Sequence, residues 1–364
     1  MTTAQSLRAT TKAAGGAPAP DAASFPRLPA SWYFAGLSRR LGGGPMLAEF
    51  GDRRAVIFRT AGARAAALDA RCSHQGADLS RGAVVADAIR CPFHGWSFDA
   101  SGICTGAPGV CEVPPFARQR AYPVVERHGL LFAFNGERPL FPLPFFEDCD
   151  PHDFVAGRPF RFIGDCPWYV LASNGFDVAH FQSVHDRRML APPRVDEPHR
   201  FARRLRVPWE VTGDSIFDRL LRRFVGRTVD VTITNWGGTM TLVTGEFRRA
   251  KSYIFIATAP WHTDRTEVNV IVFAQRRGPA WLDGVSRQLS LGLRRLFTQG
   301  FLRDDIERLV GIRYRPERFT EADAEMAAFY RWLAEMPQED RLPCSDSSST
   351  SSESAESGAG RRGA

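Results

Sequence analysis

Two short cysteine–histidine pairs constrain this chain more than anything else in it: Cys72-Ser-His74 and, sixteen residues further on, Cys91-Pro-Phe-His94. The pattern C-x-H-x16-C-x-x-H offers two thiolates and two imidazoles from two tight loops, with Gly76 and Gly95 just after them to allow sharp turns. A [2Fe–2S] centre in which two His replace two Cys on one iron needs that set, and the replacement raises its potential above that of an all-cysteine plant-type cluster. A structural zinc site also takes two Cys and two His, but its usual spacings pair Cys with Cys and His with His. Mixed loops suit two irons better than one zinc.

The text around the loops, CSHQGADLS and CPFHGWSFDASG, resembles the Rieske domains of ring-hydroxylating oxygenases. The respiratory-chain type adds a disulfide between the two loops, and Ala77 and Phe93 stand where those cysteines would be.

A length of 364 residues allows two domains with separate cores. Hydrophobic content of 44% and charged content of 24% are ordinary for a globular protein. No apolar run reaches the ~18–20 residues of a membrane span, and no secretory signal is evident. Residues 1–24 and the Ser-rich 341–364 read as disordered tails. Seven cysteines without framework spacing favour a reducing cytoplasm. The net charge of +7 comes almost wholly from arginine, Lys12 and Lys251 being the only lysines. The arginines are scattered and no groove-reading motif is present, which argues against nucleic acid. A basic face for an acidic electron donor is the better expectation.

From Trp32 to about Arg138 the chain reads as short strands with Gly-rich turns: RRAVIFRT, RAAALDA, AVVADAIRC and GLLFAFNG. The Pro-rich stretch 138–146 reads as a linker. Beyond it, WYVLASNGFDVAHFQSVHD looks helical and then irregular. TVDVTITNW, GTMTLVTGEF, SYIFIATAPW and TEVNVIVFAQRR alternate as an antiparallel sheet with one buried face. Residues 284–314 and 321–336 carry apolar positions at helical spacing. Between residues 25 and 340 neither G-x-G-x-x-G nor a P-loop occurs, so electrons must come from elsewhere.

A second constellation is Asp177-x-x-His180-x-x-x-x-His185, preceded by Asn174. Two His and one carboxylate with open positions are the ligands of non-heme Fe(II) oxygenases. On a straight helix, residues five apart diverge by about 140°. His180 and His185 can therefore share a metal only if the helix bends or unwinds near Phe181–Val184.

With both constellations, the chain from about Leu28 to Met336 resembles the α subunit of a Rieske non-heme iron oxygenase, NGFDVAHFQSVH matching the N-x-x-D-x-x-H-x4-H segment. Ser173 departs from the Glu common before the Asn. The resemblance implies an α+β fold: a small all-β Rieske [2Fe–2S] domain (25–138), then a catalytic domain (139–340) with an antiparallel sheet and helices of helix-grip or START-like form. It also implies that Cys72, His74, Cys91 and His94 hold the cluster and that His180 and His185 hold a mononuclear Fe(II). Asp177 would link that iron to the cluster of a neighbouring subunit in a homotrimer. The third iron ligand falls on Asp305, with Asp304, about 100° away around the helix, as the other candidate. Both could instead be partners for Arg303 and Arg308.

The implied reaction is oxygenation of a small aromatic or polycyclic molecule by O2, as hydroxylation, demethylation or N-oxygenation. Electrons would come from NAD(P)H through a separate reductase or ferredoxin. The layout is similar to single-component monooxygenases, including arylamine N-oxygenases of the aminopyrrolnitrin type. A Rieske electron carrier without oxygenase activity is the other reading, and it leaves His180, His185 and Asp305 idle.

Overall fold

Leu130–Phe134 is an unbroken apolar run, LLFAF, and every residue of it is buried. It lies at the centre of a three-stranded antiparallel sheet between Trp32–Leu37 and Val124–Arg127. Successive side chains point to opposite faces. Leu130, Phe132 and Phe134 enter one core with Trp32, while Leu131 and Ala133 enter another with Tyr33, Phe50 and Ile57. A strand covered on both faces has no polar alternation to show. The computed structural model describes residues 18–262, 264–276 and 280–338, with side-chain detail in the last stretch from 287 onward.

Two four-stranded sheets complete the first region. One is built from Met46–Phe50, Arg53–Arg59, Ala65–Asp69 and Ala121–Tyr122. The other is built from Ala83–Val85, Ala88–Arg90, Ser97–Asp99 and Cys104–Gly106. AVVADAIRC, read as a single strand, is thus a hairpin turning at Ala86 and Asp87, with Ala86 at φ 53°. The turn lacks the Gly or Asn that normally announces a positive φ.

Asp78 starts the short 3-10 turn Leu79–Arg81 next to the Cys72–His74 loop, and its side chain accepts from Ser80 N–H. Burial alone would raise its carboxyl, but the Ser80 hydrogen bonds and Arg54 at 3.0 Å outweigh it and lower the pKa. A depressed folded pKa contributes stability above the unfolded value near 4 and loses it as pH falls through the folded value. Asp78→Ala should therefore cost about 1 kcal/mol at neutral pH. Urea titrations should show the gap to wild type closing below about pH 4.

The second region begins without a free linker. Phe141, Leu143 and Phe146, in the stretch read as one, are 3–6% exposed and belong to the largest core, because the Pro-rich segment lays its aromatic rings onto the neighbouring sheet. Helix α1 spans Trp168–Ser173, α2 Val178–Ser183, α3 Ile216–Phe224, α4 Ala280–Leu309 and α5 Ala324–Ala334.

A nine-stranded antiparallel sheet carries these helices, with Thr228–Trp236, Met240–Phe247, Lys251–His262 and Arg265–Gln275 at its centre. Met240 and Leu242 enter the core shared with Trp32, as do Tyr253, Phe255 and Ala257. Thr241, Val243, Ile254, Ile256 and Thr258 face a cavity on the other side. The expectation of one buried face is thus corrected: both are covered, one by the first region and one by helices.

Residues 18–24, placed by the sequence in a disordered tail, contain the 3-10 turn Ala22–Ser24, and Tyr314 Oη donates to Pro20 C=O at 2.6 Å. Phe25 then stacks on Tyr169 at 4.0 Å. Residues 1–17 and 339–364 lie outside the described residues. Helix α4 stops at Leu309, short of the expected Tyr314, with Gly311 at φ 72° just after it.

Candidate metal centres

The two loops at the tip of the first region are built alike. Cys72 N–H donates to Ala77 C=O and Gly76 N–H to Cys72 C=O. In the second loop Cys91 N–H donates to Trp96 C=O and Gly95 N–H to Cys91 C=O. Gly76 and Gly95 take φ 74° and 73°, where a Cβ is strained. Each loop therefore turns its Cys inward and its His to the rim: Cys72 and Cys91 are 3% and 4% exposed, while His94 is exposed.

The pairs are sorted by element. The two thiols lie within hydrogen-bonding reach of each other. The His74 and His94 rings are 4.7 Å apart, and His74 stacks flat on Trp96 at 4.4 Å. Among the described residues, only His180, His185 and Asp305 bring three His, Cys, Asp or Glu ligand atoms within 4.8 Å of one another. The four loop ligands thus do not close on one point, as a single zinc would require.

Two observations fit a two-iron cluster here. His74 Nδ1 is buried and has no hydrogen-bond partner. Burial pushes the Cys72 thiol up to about 11, and Cys91 beside it adds to the shift. Thiolates at this depth need a cation, which ligated iron would supply. The N–H groups of His74 and Gln75 already point at the Cys72 sulfur.

Gln119 escaped the sequence reading. Its Oε1 accepts from Ser73 N–H at 3.0 Å, and its Nε2 donates to the carbonyls of Arg71 and Asp69 at 2.8 and 3.2 Å. A 3%-exposed amide bonded to both sides of the first loop holds it in shape. Nothing local marks a Gln 46 residues from the loop it clamps.

At the second centre, α2 ends at Ser183, and His185 lies beyond Val184 in a turn. The unwinding expected near Phe181–Val184 therefore occurs, and it brings the His180 and His185 rings to 5.0 Å. Asp305, near the end of α4, places Oδ1 2.7 Å from Nε2 of each histidine. Asp304 instead points outward towards Arg308 at 3.8 Å.

His185 Nε2 is buried and 2.7 Å from the carboxylate, yet makes no aligned hydrogen bond with it. Such a nitrogen suits a metal held between the three side chains. Burial would raise the Asp305 carboxyl, but contact with His180 and His185 outweighs it and lowers its pKa. His185 is held flat against Phe301 at 3.8 Å, and Phe181 stacks on Trp209. Asp177 is the N-cap of α2, its Oδ1 accepting from His180 N–H at 3.0 Å. Ser173, just before Asn174, is buried and donates to Tyr330 Oη at 2.6 Å.

The triad opens onto a cavity of about 630 Å3. Its floor is the alternating sheet face, and its roof is α4 with Phe297, Phe301 and Leu302. One side is α3, with Phe217, Leu220, Leu221 and Phe224. Helix α3 also went unread, although its signal was present: Ser215 caps Asp218, and the apolar residues recur at i, i+3, i+4 and i+7.

Comparison with known proteins agrees with this geometry. The Rieske [2Fe-2S] domain family matches residues 31–117. The 3-ketosteroid-9-alpha-monooxygenase oxygenase component of Rhodococcus rhodochrous is 37% identical over 167 residues, 44% of each chain. Aminopyrrolnitrin oxygenase of Pseudomonas fluorescens is 36% identical over 169 residues, 44% of this chain and 46% of that one. The matched stretches span less than half the length of these relatives. Apo dicamba monooxygenase superposes with a TM-score of 0.64 at 20% identity, covering 86% of this chain and 97% of that one. The fold is therefore shared along nearly the whole of that structure, and residues 31–117 form a Rieske domain.

Proposed function

We propose that this chain is the oxygenase component of a Rieske non-heme iron system that acts on an apolar aromatic or polycyclic molecule. One observation carries the reading: a second ligand set, separate from the Rieske loops, opens onto a large apolar cavity. A pure electron carrier has no use for that triad or that space. Relatives named as a monooxygenase oxygenase component and as an O-demethylase oxygenase subunit support the reaction class.

In this reading Cys72, His74, Cys91 and His94 hold the cluster, and His180, His185 and Asp305 hold a mononuclear Fe(II). Together the two groups supply stored electrons and oxygen activation. The chain does the rest. His74 and His94 sit at the rim, where an electron can enter from a reductase or ferredoxin fed by NAD(P)H. The triad would hold the metal at the edge of the cavity, which Asp305 also lines. The walls formed by Val243, Ile254, Ile256 and Phe301 exclude water and orient an apolar ring, so that hydroxylation, demethylation or N-oxygenation depends on which substrate atom is presented.

The cytoplasm is the proposed location, consistent with free cysteines among the described residues and with no described helix long and apolar enough to cross a membrane. Iron and acid-labile sulfide analysis tests the function. Three irons and two sulfides per chain support it, and two irons would leave only the carrier.

Asp177 is proposed to bridge the two centres across a homotrimer. It caps α2 with Oδ1, while Oδ2 takes no hydrogen bond among the described residues and could accept one from a neighbouring cluster histidine. Asn caps helices as well as Asp does. Asp177→Asn should therefore keep three irons while oxygenation falls about 10–100-fold or more. Product formation at wild-type rate would remove the bridging role.

A further inference from the structure

One buried ion pair, Arg187–Asp218, joins the main chain at His185 to the first turn of helix α3. We propose that Arg187 is a positioning residue that ties closure of α3 over the cavity to the placement of His185. The proposal rests on reading His180, His185 and Asp305 as iron ligands.

Arg187 Nη1 donates to the His185 carbonyl at 2.5 Å and to the Asp186 carbonyl at 3.3 Å, while Nη2 meets Asp218 Oδ1 at 2.8 Å. One guanidinium therefore spans the main chain of the ligand and the first turn of α3. Arg187 and Asp218 are each 8% exposed, and a pair that deep is strongly disrupted when one partner is lost.

Asp218 is tied to its own helix: Ser215 Oγ, at the N-cap of α3, accepts from its N–H and donates to its Oδ2. The loop closes tightly over it, since a Cβ on Gly213 would collide with Asp218 Oδ2. Asp186, between His185 and Arg187, takes φ 50°, so the main chain there is held in an uncommon conformation.

The rest of α3 is attached more lightly. Arg222 bonds back to the carbonyls of Val211 and Gly213, and Phe217 meets Phe297 edge-on at 5.9 Å. Phe217, Leu220 and Phe224 line the cavity yet remain 47–63% exposed. An apolar molecule lying against them removes that surface from water and draws α3 inward. Asp218 moves with the helix, Arg187 with Asp218, and the His185 carbonyl with Arg187. Occupation of the cavity thereby sets the geometry of an iron ligand. Coupling of this kind is reciprocal, so metal at the triad must also steady α3.

Cobalt(II) tests this on the full chain with its cluster in place, and the cobalt absorption spectrum reports ligand geometry. Wild type should bind one Co(II), lost in His180→Ala. Binding should slow hydrogen exchange of the 216–224 amides about tenfold. Asp218→Asn should weaken Co(II) about tenfold, alter its spectrum and abolish the metal effect on α3 exchange. Arg187→Lys, which keeps the charge but not the fork, should do the same and serves if Asp218→Asn does not fold.

Wild-type Co(II) affinity and spectrum in the folded variants would overturn the proposal, as would α3 exchange in wild type that ignores the metal. Failure of wild type to bind Co(II) at all would instead overturn the iron-site reading itself.

Discussion

Asp305→Ala should remove one iron of the expected three and lower oxygenation by at least about a thousandfold, because a bound metal contributes several kcal/mol to catalysis and each 1.36 kcal/mol is a factor of ten. Asp305 is the carboxylate of the triad, and it is 6% exposed. Its lowered pKa keeps it ionised at neutral pH, so the charge that balances the metal is in place before any metal binds. Alanine leaves two imidazoles 5.0 Å apart with no anion between them. Asp304→Ala is the matched control, since that side chain is half exposed and points to Arg308. It should change stability by no more than about 0.5 kcal/mol and leave the iron count untouched. Iron analysis with a product assay reads both variants, and an iron-replete Asp305→Ala would return the ligand role to another residue.

Cys91→Ser should take the iron count from three to one and abolish turnover that depends on the reductase. Cys91 is 4% exposed and packs in one core with Cys72, Leu79, Trp96 and Phe98. A serine hydroxyl there has neither the acidity nor the softness that iron–sulfur ligation requires. A cluster held by both loops would also crosslink them, so its loss should lower stability as well as activity. The remaining iron should still bind at His180, His185 and Asp305, which separates this variant from general misfolding. The checks are disappearance of the reduced-cluster EPR signal and retention of one iron per chain. A variant with three irons and a normal signal would exclude Cys91 as a ligand.

Much of this was legible before any coordinates. The strands Thr228–Trp236 and Leu130–Phe134 announce themselves by β-branched content and apolar runs. The break after α2 followed from helix geometry alone, since two residues five apart cannot face one metal on an intact helix. What was misread has identifiable causes. The 83–90 hairpin turns on Ala86-Asp87 without a Gly or Asn. The 138–146 stretch has a linker's prolines, but its phenylalanines find a core that only the folded sheet supplies.

Residue type and short spacing are properties of the chain itself, and they determined which donors are on offer: two Cys and two His in paired loops, and a D-x-x-H-x4-H segment whose histidines can meet only if it unwinds. Adjacency across long distances is a property of packing, and only the tertiary structure decided it. It gathered Cys with Cys and His with His from mixed loops. It turned Asp305 rather than Asp304 towards His180, 125 residues away. It also laid α3 beside a cavity and joined it to His185 through Arg187 and Asp218. The reason is physical: metal preference is written in donor atoms, whereas the meeting of donors depends on how sheet faces and helices bury their apolar sides.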